Sequence, residues 1–149
     1  MKKGKTVLAS GAFDLLHYGH VRFLEESKKA GLEGARLIVV VARDSTVKKM
    51  KGKRPVIPED QRRALVEALK PVDKAILGSD FFDVKDILDK VKPDVVAVGH
   101  DQIDLEKTVR ELIAKLGLEI EVVKIGRFGP EELASSSKIK LRIVEGSER

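Results

Sequence analysis

The sequence predicts an α/β fold: a single doubly wound, five-stranded parallel sheet. Five short apolar runs, rich in β-branched residues and bounded by polar residues or glycine, read as buried strands: 6–9, 37–41, 74–77, 95–98 and 120–125. The segments between these runs have helical periodicity. Buried strands that alternate with helices are typical of a parallel sheet with helices on both faces.

Two of the connecting segments place their apolar residues on one helical face: Val84, Ile87, Leu88 and Val91 in the first, and Leu105, Val109, Leu112, Ile113 and Leu116 in the second. The serine run 135–137 is predicted to open a last helix, although the spacing of Ile139, Leu141 and Ile143 also fits a short strand. With 149 residues, 42% of them hydrophobic, we expect one domain over residues 1–149.

The composition excludes several classes of function. Because there is no cysteine, disulfides, thiolate zinc sites and cysteine catalysis are impossible, which fits a reducing compartment. The N-terminus lacks the long apolar region of a signal peptide, and no apolar run approaches the roughly 20 residues of a membrane span, so we expect a cytoplasmic protein without a membrane partner. The chain has no Asn, two Gln and 36% charged residues, a balance typical of thermophile proteins. Its net charge of +5 favours anionic ligands without naming one.

Ligands of such sheets bind beyond the carboxyl ends of the strands, where the strand order reverses. Three predicted loops there are rich in polar residues: 11–20, 43–58 and 99–104. In the first loop, His17 and His20 lie three residues apart at the start of a helix, with Gly19 leaving space between them. Both imidazoles can therefore converge on one anion, which free backbone N–H groups and the helix dipole also favour. This arrangement suits phosphoryl transfer, whose transition state needs donors at the phosphorus oxygens.

Two other interpretations of the histidines remain at this point. They can be helix caps or surface residues, or they can bind a metal ion with His100 or Asp101 as the third ligand. Zinc-binding histidines on a helix are better attested four residues apart, so the spacing argues against the metal site.

Residues 11–20 carry the signature of the HxGH nucleotidylyltransferase superfamily: Gly11-Ala12-Phe13-Asp14 after a strand, then His17-Tyr18-Gly19-His20. The chain resembles this superfamily over most of its length, because Arg62, Gly99-His100-Asp101 and the serine run 135–137 match further positions of the pattern. Segments 41–45, 56–59, 66–78 and 99–102 look most like archaeal FAD synthases. The resemblance implies a Rossmann-like fold, in relatives that are often homodimers. It also implies transfer of AMP from ATP to FMN, giving FAD and pyrophosphate, by direct in-line attack on the α-phosphate.

The resemblance, together with position in the loops, assigns roles to individual residues. The predicted catalytic residues are His17, His20, Lys51 and Arg62; the acceptor phosphate is assigned to Lys49, Lys51 and Arg62. The nucleotide is assigned to both histidines and to Ala12, Phe13, Tyr18, Gly19, Asp101, Phe128, Ser136 and Ser137.

Each of these assignments has a simpler alternative. The five basic residues of the predicted loop 48–54 can be a solvated charge run, and Asp101 can be a helix N-cap. Phe128 can anchor its own loop, and Ser136 and Ser137 can cap the last helix. Arg62 is the preferred candidate for a fixed phosphate-binding fork. Mg²⁺ is the expected divalent ion, although no carboxylate cluster marks a protein-borne metal site.

Three other functions compete with this prediction. Glycerol-3-phosphate cytidylyltransferases resemble the chain, but they usually have a Trp after the Gly-Asp pair and a particular threonine-rich motif after an arginine. This chain has no Trp, and its serine run lacks that spacing after Arg127, so the prediction favours ATP over CTP. Pantetheine-phosphate adenylyltransferase is the third enzyme candidate. A nucleic-acid-binding module has little support, because aromatic residues are 4% of the chain and the basic residues alternate with acidic ones.

Overall fold

A computed structural model of the chain describes residues 4–80, 83–126 and 136–147, with the backbone alone for residues 136–138 and 147. The strands in this part of the chain are β1 (Thr6–Gly11), β2 (Arg36–Val41), β3 (Lys74–Leu77), β4 (Val95–Gly99) and β5 (Glu121–Ile125). The helices are α1 (Tyr18–Lys29), α2 (Asp44–Lys51), α3 (Glu59–Glu67), α4 (Val84–Val91), α5 (Ile103–Leu116) and α6 (Ser136–Ser147).

The five strands form one sheet in the order β3-β2-β1-β4-β5, and all neighbouring strands are parallel. The predicted doubly wound α/β fold is therefore confirmed. The chain moves outward from β1 to β3 and then returns to place β4 beside β1, so the strand order reverses between β1 and β4. A crevice for a ligand is expected at this reversal, beyond the carboxyl ends of the two strands.

The predicted strands agree with the observed ones to within two residues at each end. The largest difference is in β1, which continues through Ser10 and Gly11 because these residues pair with Val40 and Val41 of β2. Their polarity hides this extension from a search for apolar runs. The extension brings β1 directly to the loop that carries the two histidines.

Helices cover both faces of the sheet, and each face has its own hydrophobic cluster. Leu24 of α1 and Val66 of α3 pack with Val7 on one face, while Ile87 of α4 and Val109 of α5 pack on the other. Neighbouring strand residues point to opposite faces, which is why the strands read as almost continuous apolar runs.

Two predictions about local structure are wrong. The basic segment 48–54 is not wholly a loop, because residues 48–51 are the last turn of α2, which ends at Gly52 with a left-handed φ of 78°. The strand alternative for the C-terminal segment is also wrong, since residues 136–147 form α6. No helix in the described part of the chain is long and apolar enough to cross a membrane.

Candidate active site

A cavity of about 410 Å³ opens at the carboxyl ends of the strands. Its walls include Ala12 and the two histidines from the segment after β1, Thr46 from α2 after β2, and Asp101 from the segment after β4. The three chemically rich segments predicted from the sequence thus meet in one cavity.

The two histidines lie against each other at the start of α1. His17 precedes the helix in an extended conformation, and His20 lies in its first turn. The two imidazole rings are stacked, with centroids 3.8 Å apart and an interplanar angle of 28°. The ring of Phe13 contacts His20 from another direction, at a centroid distance of 5.3 Å. The spacing of three residues therefore does bring the imidazoles together, as predicted.

Both histidines are held in the neutral form. Burial lowers the pKa of His20 to about 3, and the charge of Lys51 and any protonation of His17 act in the same direction. Burial also lowers the pKa of His17 below its ordinary value of 6.5. Stacked rings favour this state, because protonation of both would place two positive charges in contact.

The proton of neutral His20 can be assigned to one nitrogen. The backbone N–H of His17 donates a hydrogen bond of 3.2 Å to Nδ1 of His20, so this nitrogen must carry the lone pair. The proton is then on Nε2, which can donate to a ligand. Nδ1 of His17 is buried and has no partner among the described residues. The arrangement suits hydrogen bonding to a charged oxygen better than acid–base catalysis at neutral pH.

The segment before the histidines has a constrained backbone. Phe13 has a left-handed φ of 53° and is 3% exposed. A Cβ added to Gly11 would lie 3.0 Å from Cε2 of Phe13, so glycine at this position leaves room for the aromatic ring. Strain of this kind persists only where surrounding contacts hold it, and Asp14 and Arg62 supply such contacts.

Asp14 joins three segments around the cavity. Its buried carboxylate accepts backbone hydrogen bonds from Val56 at 2.9 Å and Ile57 at 2.8 Å, and it accepts a third from Nζ of Lys140 in α6 at 2.6 Å. Burial raises the pKa of Asp14, but the hydrogen bonds from Lys140, Ile57 and Val56 outweigh this effect and leave the pKa below its ordinary value. The carboxylate therefore stays charged and ties α6 to the histidine-bearing segment.

Arg62 does not line the cavity as a phosphate fork, contrary to the prediction. It is fully buried, and its guanidinium donates to three backbone carbonyls: Ile57 at 2.8 Å, Ala12 at 2.7 Å and Ala42 at 2.6 Å. A fourth bond of 2.8 Å goes to Oδ1 of Asp44. The position of Arg62 in its helix could not reveal these hydrogen bonds, because the acceptors come from segments distant in the sequence. We interpret Arg62 as a residue that positions the loops around the cavity.

The two candidate lysines are separated by helical geometry. Lys51 lines the cavity, whereas Lys49 is exposed and is not among the lining residues. Residues two apart on a helix do not share a face, so α2 directs them differently. In an irregular loop, as the sequence predicts for this segment, both lysines could reach the ligand.

The remaining predicted residues are placed as follows. Ala12, Phe13, Gly19 and Asp101 line the cavity with the histidines, while Tyr18 is 60% exposed and outside the lining. Phe128 lies outside the described residues. Ser136 and Ser137 begin α6, and their side chains also lie outside what the structure describes.

Several residues of the site were not predicted. Thr46 and Gln102 line the cavity, and Lys140 reaches it through Asp14. Gln102 accepts from the backbone N–H of Gly99 at 2.8 Å and donates to the carbonyl of Ser10 at 2.9 Å, which joins the ends of β4 and β1. The sequence offers one signal for Gln102, because amide side chains are rare in it: the chain has only two glutamines and no asparagine.

The described residues contain no group of three or more histidine, aspartate or glutamate side chains that could hold a metal ion. The alternative site with His17, His20 and either His100 or Asp101 as ligands is therefore not formed. A divalent ion here would depend on oxygens of a bound phosphate ligand, which is the usual way in which Mg²⁺ is held in phosphoryl-transfer sites.

Comparison with known proteins agrees with this geometry. Residues 8–142 match the model of the family described as cytidylyltransferase-like. The chain is 51% identical over 140 residues to an FAD synthase of Ferroglobus placidus, covering 94% of this chain and 88% of the relative. It is 48% identical over 147 residues to an FAD synthase of Methanothermobacter marburgensis, covering 97% and 89% of the two chains.

A solved structure from Thermoplasma volcanium, described as a lipopolysaccharide core biosynthesis protein, superposes with a TM-score of 0.76 at 43% identity. The match covers 85% of this chain and 99% of that chain. The resemblance inferred from the HxGH motif is confirmed by the length and identity of these matches. The chain belongs to the cytidylyltransferase-like family.

Proposed function

We propose that the chain is an FMN adenylyltransferase, which transfers AMP from ATP to FMN and releases FAD and pyrophosphate. The observation that carries the proposal is the stacked, neutral pair of His17 and His20 at the reversal of strand order. The FAD synthases that share 48–51% identity with the chain support the choice of donor and acceptor.

The reaction needs no nucleophile or general base from the protein. The phosphate of FMN is mostly ionised at neutral pH, since its second pKa is about 6. One of its oxygens attacks the α-phosphorus of ATP, a new P–O bond forms, and the bond to the β-phosphate oxygen breaks. The electron pair of that bond leaves with pyrophosphate. Catalysis is then a matter of in-line placement and charge stabilisation.

The site residues fit this task in distinct ways. His20 donates from Nε2 to an oxygen of the reacting phosphate. We assign the same role to the stacked ring of His17 beside it. Lys51 supplies a positive charge near His20, as its effect on the pKa of that residue indicates. Arg62 and Asp14 act indirectly, because they fix the loops that carry these groups.

We place the nucleotide in the half of the cavity beside β4, where Asp101 lines the cavity and can supply a polar contact to the ribose or base. The contacts predicted from the sequence for Phe128, Ser136 and Ser137 belong to the same proposal, although these side chains lie outside the described residues. Tyr18 and Lys49 are exposed and outside the cavity lining, so the proposal assigns them no contact inside the cavity. A divalent ion such as Mg²⁺, held by phosphate oxygens of the substrate, would supply further neutralisation of charge.

The proposal is tested by a substrate matrix. The protein is incubated with ATP or CTP and with FMN, glycerol 3-phosphate or phosphopantetheine, and both pyrophosphate release and product mass are measured. We expect a product of the mass of FAD from ATP and FMN, and at least tenfold slower turnover for the other five combinations. A faster reaction with CTP or with another acceptor would contradict the assignment.

The compartment and assembly state belong to the same proposal. The absence of cysteine fits a reducing cytoplasm, and the resemblance to the superfamily supports a homodimer. Light scattering coupled to gel filtration should give about twice the mass of one chain.

A further inference from the structure

Helix α2 presents one face to the cavity. Thr46, Val47, Met50 and Lys51 line the cavity, and this spacing corresponds to a single helical face. Ser45 lies on the same helix but is exposed and outside the lining. The face combines one hydroxyl, two apolar side chains and one positive charge.

The hydroxyl of Thr46 is in an unfavourable position for a purely structural residue. Thr46 is 5% exposed, and its Oγ1 is buried without a hydrogen-bond partner among the residues that the structure describes. A buried polar group that lacks a partner destabilises the folded state. Valine has nearly the same shape and would avoid this cost, so a hydroxyl in this wall indicates that a ligand supplies its partner.

The position of Thr46 relative to Lys51 indicates which part of a ligand it meets. Lys51 lies near the reaction centre, because its charge contributes to the low pKa of His20. Thr46 precedes Lys51 by five residues, a distance of roughly 7.5 Å along a helix axis. A ligand whose phosphate lies beside Lys51 and His20 would therefore meet Thr46 with a group several bonds away from that phosphate.

The cavity has two sides, which are defined by their position relative to β1. Gly99 and Asp101 lie on the β4 side of β1, whereas α2 follows β2 on the opposite side of β1. With the nucleotide on the β4 side, the face of α2 is left for the acceptor.

We propose that Thr46 is a specificity-determining residue for the acceptor, whose hydroxyl bonds to the polyhydroxylated ribityl chain of the flavin. This inference rests on the proposed function. Ribityl hydroxyls both donate and accept, so they match a threonine hydroxyl that needs a partner. Val47 and Met50, on the same face, provide apolar contact for the adjoining ring system.

The test compares Thr46→Val with the matched control Ser45→Ala. Binding of FMN and of riboflavin, which lacks the phosphate, is measured by quenching of flavin fluorescence, and KM for ATP is measured in parallel. For Thr46→Val we expect the Kd of both flavins to rise by the same factor, roughly threefold to tenfold, as for the loss of one hydrogen bond. The KM for ATP should stay unchanged, and the melting temperature should be equal to that of the parent or higher. Ser45→Ala should alter none of these values.

Several results would overturn the inference. The first is an unchanged Kd for FMN. The second is a loss confined to FMN, or no binding of riboflavin by the parent protein, because both would assign the contact to the phosphate. The third is a lower melting temperature together with a higher KM for ATP, which would indicate a structural role. If the parent protein neither binds FMN nor adenylylates it, the proposed function fails as well. An active parent with an unaffected Thr46→Val variant refutes only the role of Thr46.

Discussion

Replacement of Arg62 by alanine separates a positioning role from a direct role in phosphate binding. The side chain is fully buried and makes four hydrogen bonds, of 2.6–2.8 Å, to Ile57, Ala12, Ala42 and Asp44. Alanine would leave three carbonyls and one carboxylate without these donors. Because the carboxylate of Asp44 is only 31% exposed, its lost partner is replaced by water incompletely.

The expected loss can be estimated from these contacts. Removing one member of a buried ion pair costs about 3–5 kcal/mol, and individual bonds of one network do not add. We therefore expect Arg62→Ala to lower the free energy of unfolding by about 3–5 kcal/mol. For a chain of this length the melting temperature should fall by roughly 6–20 °C. Guanidinium denaturation monitored by circular dichroism measures the first quantity, and calorimetry the second.

Arg63→Ala is the matched control, because Arg63 is the next residue on α3 and is partly exposed. Its guanidinium forms an ion pair with Glu67 at the surface, so the loss should stay below about 1 kcal/mol. Arg62→Ala with unaltered stability and a raised KM for one substrate would refute the positioning role. That result would restore the phosphate-binding role predicted from the sequence.

Three further predictions concern His20 and the pair of Asp14 and Lys140. His20→Ala should lower kcat by about 100-fold to 1,000-fold, as for the loss of a transition-state donor, with a much smaller change in KM; an unchanged kcat would refute the mechanism. Since the pKa of His20 is lowered to about 3, its ring signals in NMR spectra should not titrate between pH 5 and 8. Between pH 6.5 and pH 3 the unfolded state binds more protons at His20 than the folded state does. The contribution of His20 to stability should therefore be complete above pH 6.5 and fall as the pH decreases toward 3. An NMR titration midpoint near pH 6.5 for His20 in the folded protein would contradict this. Lys140→Met should lower the free energy of unfolding by about 1 kcal/mol, because Lys140 is partly exposed, and its effect should vanish in an Asp14→Asn background; additive losses would show that the two residues act independently.

The fold followed from local patterns, because apolar runs and helical spacing reflect burial that each segment carries in its own residues. The same reasoning found the histidine pair, since a spacing of three residues at a helix start places two side chains together whatever the rest of the chain does. The HxGH motif then pointed to the family that the comparisons confirmed. These conclusions depend on short-range geometry, which a sequence records directly.

Tertiary structure decided which of the candidate residues face the ligand. Lys49 and Lys51 are equivalent in sequence, but α2 turns only Lys51 into the cavity. The sequence predicts Arg62 as a phosphate ligand. In the folded chain its guanidinium instead donates to acceptors from distant segments. The unpaired hydroxyl of Thr46 and the tautomer of His20 likewise arise from packing and burial. Side-chain orientation and hydrogen-bond partnership are long-range properties, so the sequence alone determined the fold and the reaction centre, whereas the folded chain determined the role of each residue around it.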